Sequence, residues 1–140
     1  MKKLDELSIF FPAYNEEENI KEAVETGLKI AKKYSKKHEV FAVVYEKTTD
    51  KTIGILTELM KRYKTLHYII QKKENGGMGY ALRQGLKKAR YKNVFYSDSD
   101  LQFDLNEFAN FMPYIEKYDI ISGYRIKRND PKSRVFIATV

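Results

Sequence analysis

Two aspartates one residue apart, Asp98 and Asp100, follow the apolar run Val94 to Tyr96. A strand ending there delivers both to the lip of a sheet, and in extended chain residues two apart share a face. Two carboxylates held that close repel each other unless a cation lies beside them. Magnesium and manganese take such oxygen ligands and commonly keep a substrate phosphate as a further one. One reading is therefore a metal–diphosphate site at the carboxyl edge of a sheet. The other is a pair of solvated loop or helix-capping aspartates, which are common after strands. The pair alone does not choose between them, so the elements around it must.

Leu7 to Phe11 is an apolar run closed by Pro12, as a strand would close. Asn15 stands three residues before Glu18 in the manner of a capping box, and Glu16 to Glu18 would place acid in the first helical turn. Ile20, Ala23, Val24, Gly27, Leu28, Ala31 and Tyr34 continue at helical spacing. Glu39 to Glu46 reads as a second strand, apolar on both faces from Val40 to Val44 as a buried parallel strand is. A polar turn at Thr48, Thr49, Asp50 and Thr52 offers several N-caps to a helix carrying Ile53, Leu56, Leu59, Met60 and Tyr63 inward. Leu66 to Gln71 is a third strand.

Asn75 to Ala81 holds three glycines in four residues, the mark of unusual dihedrals or close approach. It is not a dinucleotide fingerprint, because Leu82 stands where a third glycine belongs, and it lacks the Gly-Lys-Ser/Thr of a P-loop. Asn93 to Ser97 is the fourth strand, ending at the aspartates. Leu105, Phe108, Phe111, Met112 and Ile115 predict a helix that Pro113 must kink or split. Asp119 to Gly123 reads as a fifth strand. A basic segment with Arg125, Lys127, Arg128, Lys132 and Arg134 follows, and Asp130-Pro131 opens a last helix as N-cap and N1. That helix has no stop signal before Val140, which is expected of the N-terminal part of a longer protein. The alternation predicts one α/β domain over residues 1–140, a three-layer α/β/α sandwich with a mainly parallel sheet. Loops at Pro12–Asn15, Glu46–Asp50, Glu74–Gly79 and Asp98–Gln102 would then gather on one edge, where such sheets bind ligands.

The totals narrow the chemistry. With no cysteine among 140 residues, disulfides, thiolate nucleophiles and cysteine zinc sites are excluded. A net charge of +7 favours phosphate-bearing partners without choosing among them. No apolar run approaches the roughly 20 residues of a membrane span, and Met1 to Glu6 lacks the apolar core of a signal peptide. A cytoplasmic protein is the expectation. His38 and His67 fall in or beside strands, away from the loops, and read as structural.

The four loops together resemble glycosyltransferase family 2, with its nucleotide-diphospho-sugar-binding GT-A fold. Phe11 to Glu16 is similar to the family's P-x-Y-N-E opening. Asn75, Gly77, Gly79, Ala81, Leu82 and Gly85 match its N-x-G-x-x-x-A-L-x-x-G helix start. Asp98 to Gln102 matches the D-A-D-L-Q form of its DxD motif, and Ile121 to Arg125 resembles its G-S-R strand end. The D-x-D-L-Q variant with a basic segment after it looks most like the dolichol- or polyprenyl-phosphate mannose or glucose synthases. One stretch departs from the family. Where it has V-V-D-D-G-S-T-D-G-T, Val43 to Thr52 puts Tyr45 for the first aspartate, Glu46 for the second and lysines for both glycines.

The resemblance implies an inverting hexosyl transfer from a GDP- or UDP-sugar to an acceptor such as a polyprenyl or dolichyl phosphate. It implies Mg2+ or Mn2+ on Asp100, with Asp98 at the metal or ribose. Pro12, Tyr14, Glu16, Glu46 and Gly77 would line the nucleoside pocket. Gln102 would face sugar or acceptor, and Arg125 and Arg134 would hold phosphates, for which the guanidinium fork is suited. It implies peripheral contact with the cytoplasmic face of a membrane and no nucleic-acid partner. Three rivals stand beside it: a non-catalytic or truncated sugar-nucleotide binder, a nucleic-acid-binding module using the charge and 11 tyrosines, and a phosphatase with an aspartate nucleophile.

Overall fold

The computed structural model describes residues 2–72, 77–124 and 126. The chain forms two units, 1–108 and 109–140. The first holds a four-stranded parallel sheet built from β1 (Leu4–Ala13), β2 (Ser35–Tyr45), β3 (Leu66–Gln71) and β4 (Asn93–Tyr96), in the order β3-β2-β1-β4. Three α-helices connect them: α1 (Ile20–Tyr34), α2 (Thr52–Arg62) and α3 (Met78–Lys88).

The middle strands carry the core. Ile9, Phe10 and Phe11 on β1 and Val40 to Val44 on β2 are fully buried, because helices cover both faces of the sheet. Two glycines show which helix lies where. A side chain at Gly27 of α1 would press on the Phe11 ring, and one at Gly85 of α3 would overlap the Phe10 ring. Phe10 and Phe11 are consecutive and therefore point to opposite faces. So α1, with α2 beside it, covers one face and α3 the other, giving the expected three layers. Under α3 an aromatic row crosses all four strands: Tyr96 on Phe10 at 5.5 Å, Phe10 on Phe41 at 5.4 Å, and Phe41 on His67 at 4.9 Å. No side chain at position 85 leaves room for that row.

Several boundaries differ from those expected. β1 runs through Pro12 to Ala13. Asn15 does not cap α1; it sits at φ +49, Glu16 to Glu18 lie in a turn, and the helix starts at Ile20. β2 begins at Ser35 directly after α1, whose end is closed by the Ser35 hydroxyl donating to the Ala31 carbonyl at 2.6 Å. The helix expected from Leu105 to Ile115 is two 3-10 turns, Leu105–Asn110 and Met112–Tyr114. Pro113 sits at the start of the second, where its missing N–H costs nothing.

The second unit is described over 109–124 and 126. The strand expected at Asp119 to Gly123 is irregular chain, with Ile120 87% exposed. Two isoleucines closed by Ser-Gly bury too little to hold a strand, and its backbone has no ladder partner among the described residues. The last helix expected after Asp130 lies outside the described residues.

Candidate functional site

β1 leads by α1 to β2 on one side, while β4 returns to its other side. The carboxyl ends of β1 and β4 therefore border a topological switch point, where open α/β sheets form a crevice. A cavity of about 450 Å³ opens there. Read along the edge from β3 to β4, its wall runs from Gln71 and Tyr45, through Ala13, Tyr14 and Glu16, to Asp98, Ser99 and Asp100. Gly77, Met78 and Ala81 at the amino end of α3 complete it.

Hydrogen bonds to neighbouring strands and loops fix the aspartates. Ser97 N–H donates to the Phe10 carbonyl at 3.3 Å. Ser99, 2% exposed, turns inward and its hydroxyl donates to the Pro12 carbonyl at 2.9 Å. Asp98 and Asp100, on either side of it, both line the cavity. Leu101 then adopts φ +59, which reverses the chain and lets Gln102 N–H donate to Asp100 Oδ1 at 3.2 Å. An apolar residue at positive φ is rare, and here the bonds on either side hold it.

The loops after β1 and β2 are clasped to each other. Asn15 tolerates its left-handed backbone, and its Oδ1 accepts from Thr49 N–H at 2.9 Å and Asp50 N–H at 3.3 Å. Asp50 accepts from Glu17 N–H at 3.0 Å, Glu17 Oε2 accepts from Lys51 N–H at 3.0 Å, and Glu16 N–H donates to the Thr52 hydroxyl at 2.9 Å. This clasp presents Tyr14 and Tyr45 as an edge-to-face pair, ring centres 5.3 Å apart. It also sets Glu16 at the cavity wall. Burial raises the Glu16 pKa, and the charges of Asp100, Asp50 and Asp98 raise it further against the Asn19 amide. The edge therefore gathers like charges, which favours a cation among them.

At the β3 end Gln71 is 4% exposed, and its Nε2 donates to the Gly77 carbonyl at 3.3 Å. Gly77 sits at φ +108, a region side chains avoid. Pro12, Tyr14, Glu16, Gly77, Asp98 and Asp100, singled out in the sequence, thus surround one cavity. Glu46 is exposed and does not line it; Tyr45 does. Gln102 is exposed, and its backbone N–H is what donates to Asp100. Arg125 and Arg134 lie outside the described residues. Sequence reasoning missed Gln71 and Ser99. A polar residue ending a buried strand and a small hydroxyl between two aspartates were the available signals.

The donor set suits a hard divalent cation in part. Glu16, Asp98 and Asp100 are all oxygen donors, but among the described residues no three acidic, His or Cys side chains converge as a metal-ligand group. A cation here would need oxygens from a bound ligand.

The chain matches the family model of glycosyl transferase family 2 over residues 8–138. It is 30% identical over 129 residues to an uncharacterised protein of Methanocaldococcus jannaschii, covering 88% of this chain and 53% of the relative. It is 27% identical over 125 residues to the undecaprenyl-phosphate 4-deoxy-4-formamido-L-arabinose transferase of Pectobacterium atrosepticum, covering 89% of this chain and 38% of that one. The chain thus spans about half the length, or less, of these curated relatives. Among solved structures it is similar to S. aureus TarS in complex with UDP-GlcNAc, with TM-score 0.57 and 26% identity over 84% of this chain and 32% of that one. The sheet with its edge cavity is thus the GT-A architecture, and the chain belongs to glycosyl transferase family 2.

Proposed function

We propose that the carboxyl-edge cavity is the donor site of an inverting glycosyltransferase that moves a hexose from a GDP- or UDP-sugar to an acceptor phosphate on a polyprenyl lipid. The observation that carries this reading is the cavity itself. It joins the Asp98–Asp100 loop, the Tyr14–Glu16 loop and the amino end of α3 around one space of about 450 Å³, within the range of ligand pockets. The relative that acts on undecaprenyl phosphate and the TarS complex with a UDP-sugar support the acceptor and donor classes.

In this reading Asp98 and Asp100 hold Mg2+ or Mn2+ together with the donor diphosphate, and the amino end of α3 favours the same negative charge. A bound cation would offset the charge that develops on the departing nucleoside diphosphate. Glu16 closes the acidic wall, and the Ser99 hydroxyl keeps the aspartate loop on the end of β1. Gln102 faces the sugar or acceptor, and Arg125 and Arg134 supply guanidinium groups to phosphate. A phosphate acceptor is already ionised and needs no general base. Exposed Tyr114, Tyr118, Ile120, Tyr124 and Ile126, beside a basic stretch of sequence, suit contact with an anionic membrane face. Among the described residues no helix is long and apolar enough to cross a membrane.

The test is release of nucleoside diphosphate from UDP- and GDP-hexoses, with and without polyprenyl phosphate and Mn2+. Acceptor-dependent release that Asp100→Ala removes is the expected result. Calorimetry showing no nucleotide binding, with or without metal, would overturn the reading. Tyr45 at the cavity wall, in place of the family's aspartate, favours one second reading, a binder without turnover. Nucleotide binding with no release from any donor would select it.

A further inference from the structure

The outer side of α2 carries a groove that the edge cavity does not use. Positions 51, 54, 55, 58, 59 and 62 fall on one stripe along the helix. With Lys21 of α1 as the opposite wall they bound a space of about 710 Å³. Its floor is apolar, made by Ile55 and the buried Leu59. Its two ends are cationic. Lys21 and Lys51 stand at one, Lys61 and Arg62 at the other, and the length of α2 sets them about 16 Å apart. The acids nearby are already engaged. Glu58 pairs with Lys61 at 2.8 Å, Asp50 accepts from Thr52 N–H at 2.9 Å, and Glu25 accepts from the Tyr63 hydroxyl at 3.1 Å. Among the described residues no acid pairs with Lys21, Lys51 or Arg62.

Gly54 adds a second observation. It is exposed in the first turn of α2, its φ is not positive, and a Cβ there would meet nothing within 4 Å. A glycine weakens a helix relative to alanine, and neither the backbone nor the packing of this fold requires one here. Close approach of another backbone does make use of it. The kind of occupant follows from what the groove lacks. An extended segment would bring backbone N–H and C=O groups in need of partners. The floor offers none, and ammonium and guanidinium groups only donate. A helix satisfies its own backbone, and side chains three and four apart form the ridges that a second helix packs against. A flat bilayer would touch the rims and leave the floor empty.

We infer that the α2 groove is the docking site for an amphipathic helix of a partner protein, apolar at its centre and acidic at both ends, with its backbone closest at Gly54. The inference is independent of the donor-site reading, since the groove and the edge cavity share no residue.

The probe is a capped helical peptide of about 15 residues, long enough to span α2. It carries leucines along one face and two glutamates at each end, and its control has lysines in place of the glutamates. Fluorescence anisotropy with the full chain should show the acid-ended peptide binding at least about tenfold tighter than the control, by a margin that salt reduces. Gly54→Leu, whose side chain enters the groove, should weaken that binding by about tenfold. Its melting temperature should not fall, because leucine favours a helix over glycine, and this excludes a folding defect. The double variant Lys21→Glu, Arg62→Glu should reverse the preference and take the lysine-ended peptide. No binding of the acid-ended peptide up to about 1 mM, equal affinity for both peptides, or binding that Gly54→Leu leaves unchanged overturns the inference. Binding to phosphatidylserine vesicles in place of the peptide, lost in the Lys21→Glu, Arg62→Glu variant, would overturn it too and assign this face to a membrane.

Discussion

The two edges of this sheet handle carboxylates in opposite ways. At the amino edge Glu39 is 3% exposed, with Oε1 hydrogen-bonded and Oε2 ion-paired. Its Oε1 accepts from the Ser8 hydroxyl and the Arg90 N–H, both at 2.7 Å, and Arg90 Nε lies 3.1 Å from its Oε2. Tyr91 N–H donates to the Ser8 hydroxyl at 3.1 Å, so one buried acid fastens the turn between α3 and β4 to β1 and β2. At the carboxyl edge Glu16, Asp98 and Asp100 stand around a cavity whose wall, among the described residues, holds no Lys or Arg. A fold gains nothing from assembling like charges, so the second arrangement points to a ligand and the first to stability. The contrast separates variants that damage function from those that damage the fold.

The largest effect expected is on function. Asp100→Ala should lower acceptor-dependent transfer by about 10³-fold, the scale for losing electrostatic stabilisation of a leaving group. Its melting temperature should stay within about 2 °C of wild type, because the bond it gives up, from Gln102 N–H, is an exposed loop bond. Next comes the opposite edge. Glu39→Ala removes the acceptor of a buried hydroxyl and a backbone N–H, and should cost about 2–4 kcal/mol in urea unfolding. The Arg90 side chain is 66% exposed and rehydrates, which keeps the loss below that of a fully buried ion pair. Nucleotide affinity of the folded variant should not change. Equal damage to stability by both substitutions would dissolve the distinction between the edges.

Smaller effects sharpen it. Burial and its acidic neighbours raise the Glu16 pKa, so its charged form opposes folding at neutral pH. Glu16→Gln should therefore stabilise by only about 0.3–0.5 kcal/mol, since solvent screens much of the repulsion. Wild type should gain on the variant as pH falls through the folded Glu16 value. Smallest is the histidine contribution. Burial lowers the His67 pKa below the ordinary 6.5, with Glu39 opposing and Arg90 assisting, and burial also lowers that of His38. The unfolded chain thus takes up protons first. The stability held by these neutral imidazoles is complete above pH 6.5 and declines as pH drops toward the folded values. Urea midpoints between pH 7.5 and 5.5 should show a shallow fall that the double variant His38→Gln, His67→Gln flattens.

Much of this was legible because local and global signals agreed. Val40 to Val44, apolar on both faces, could only be a strand covered twice, and Asp98 followed from a strand that had to end. What was not legible depended on partners distant in sequence. Asn15 resembles an N-cap but binds Thr49 and Asp50, some 34 residues away. Asp119 to Gly123 has the composition of a strand, yet no ladder partner stands among the described residues. Leu105 to Ile115 keeps helical spacing, yet Pro113 divides it into 3-10 turns. Gln71 gave no periodic signal. Its place at the cavity follows from its register opposite Tyr45, which only the assembled sheet shows.

The claim that the carboxyl edge is the ligand edge is tested most directly by following backbone amide resonances while UDP is added with Mg2+. The account predicts shifts at Ala13, Tyr14, Tyr45, Gln71, Gly77 and Ser99, with Ser8, Glu39, Arg90 and Tyr91 unmoved. Shifts confined to the amino edge, or none at saturating nucleotide, would contradict it.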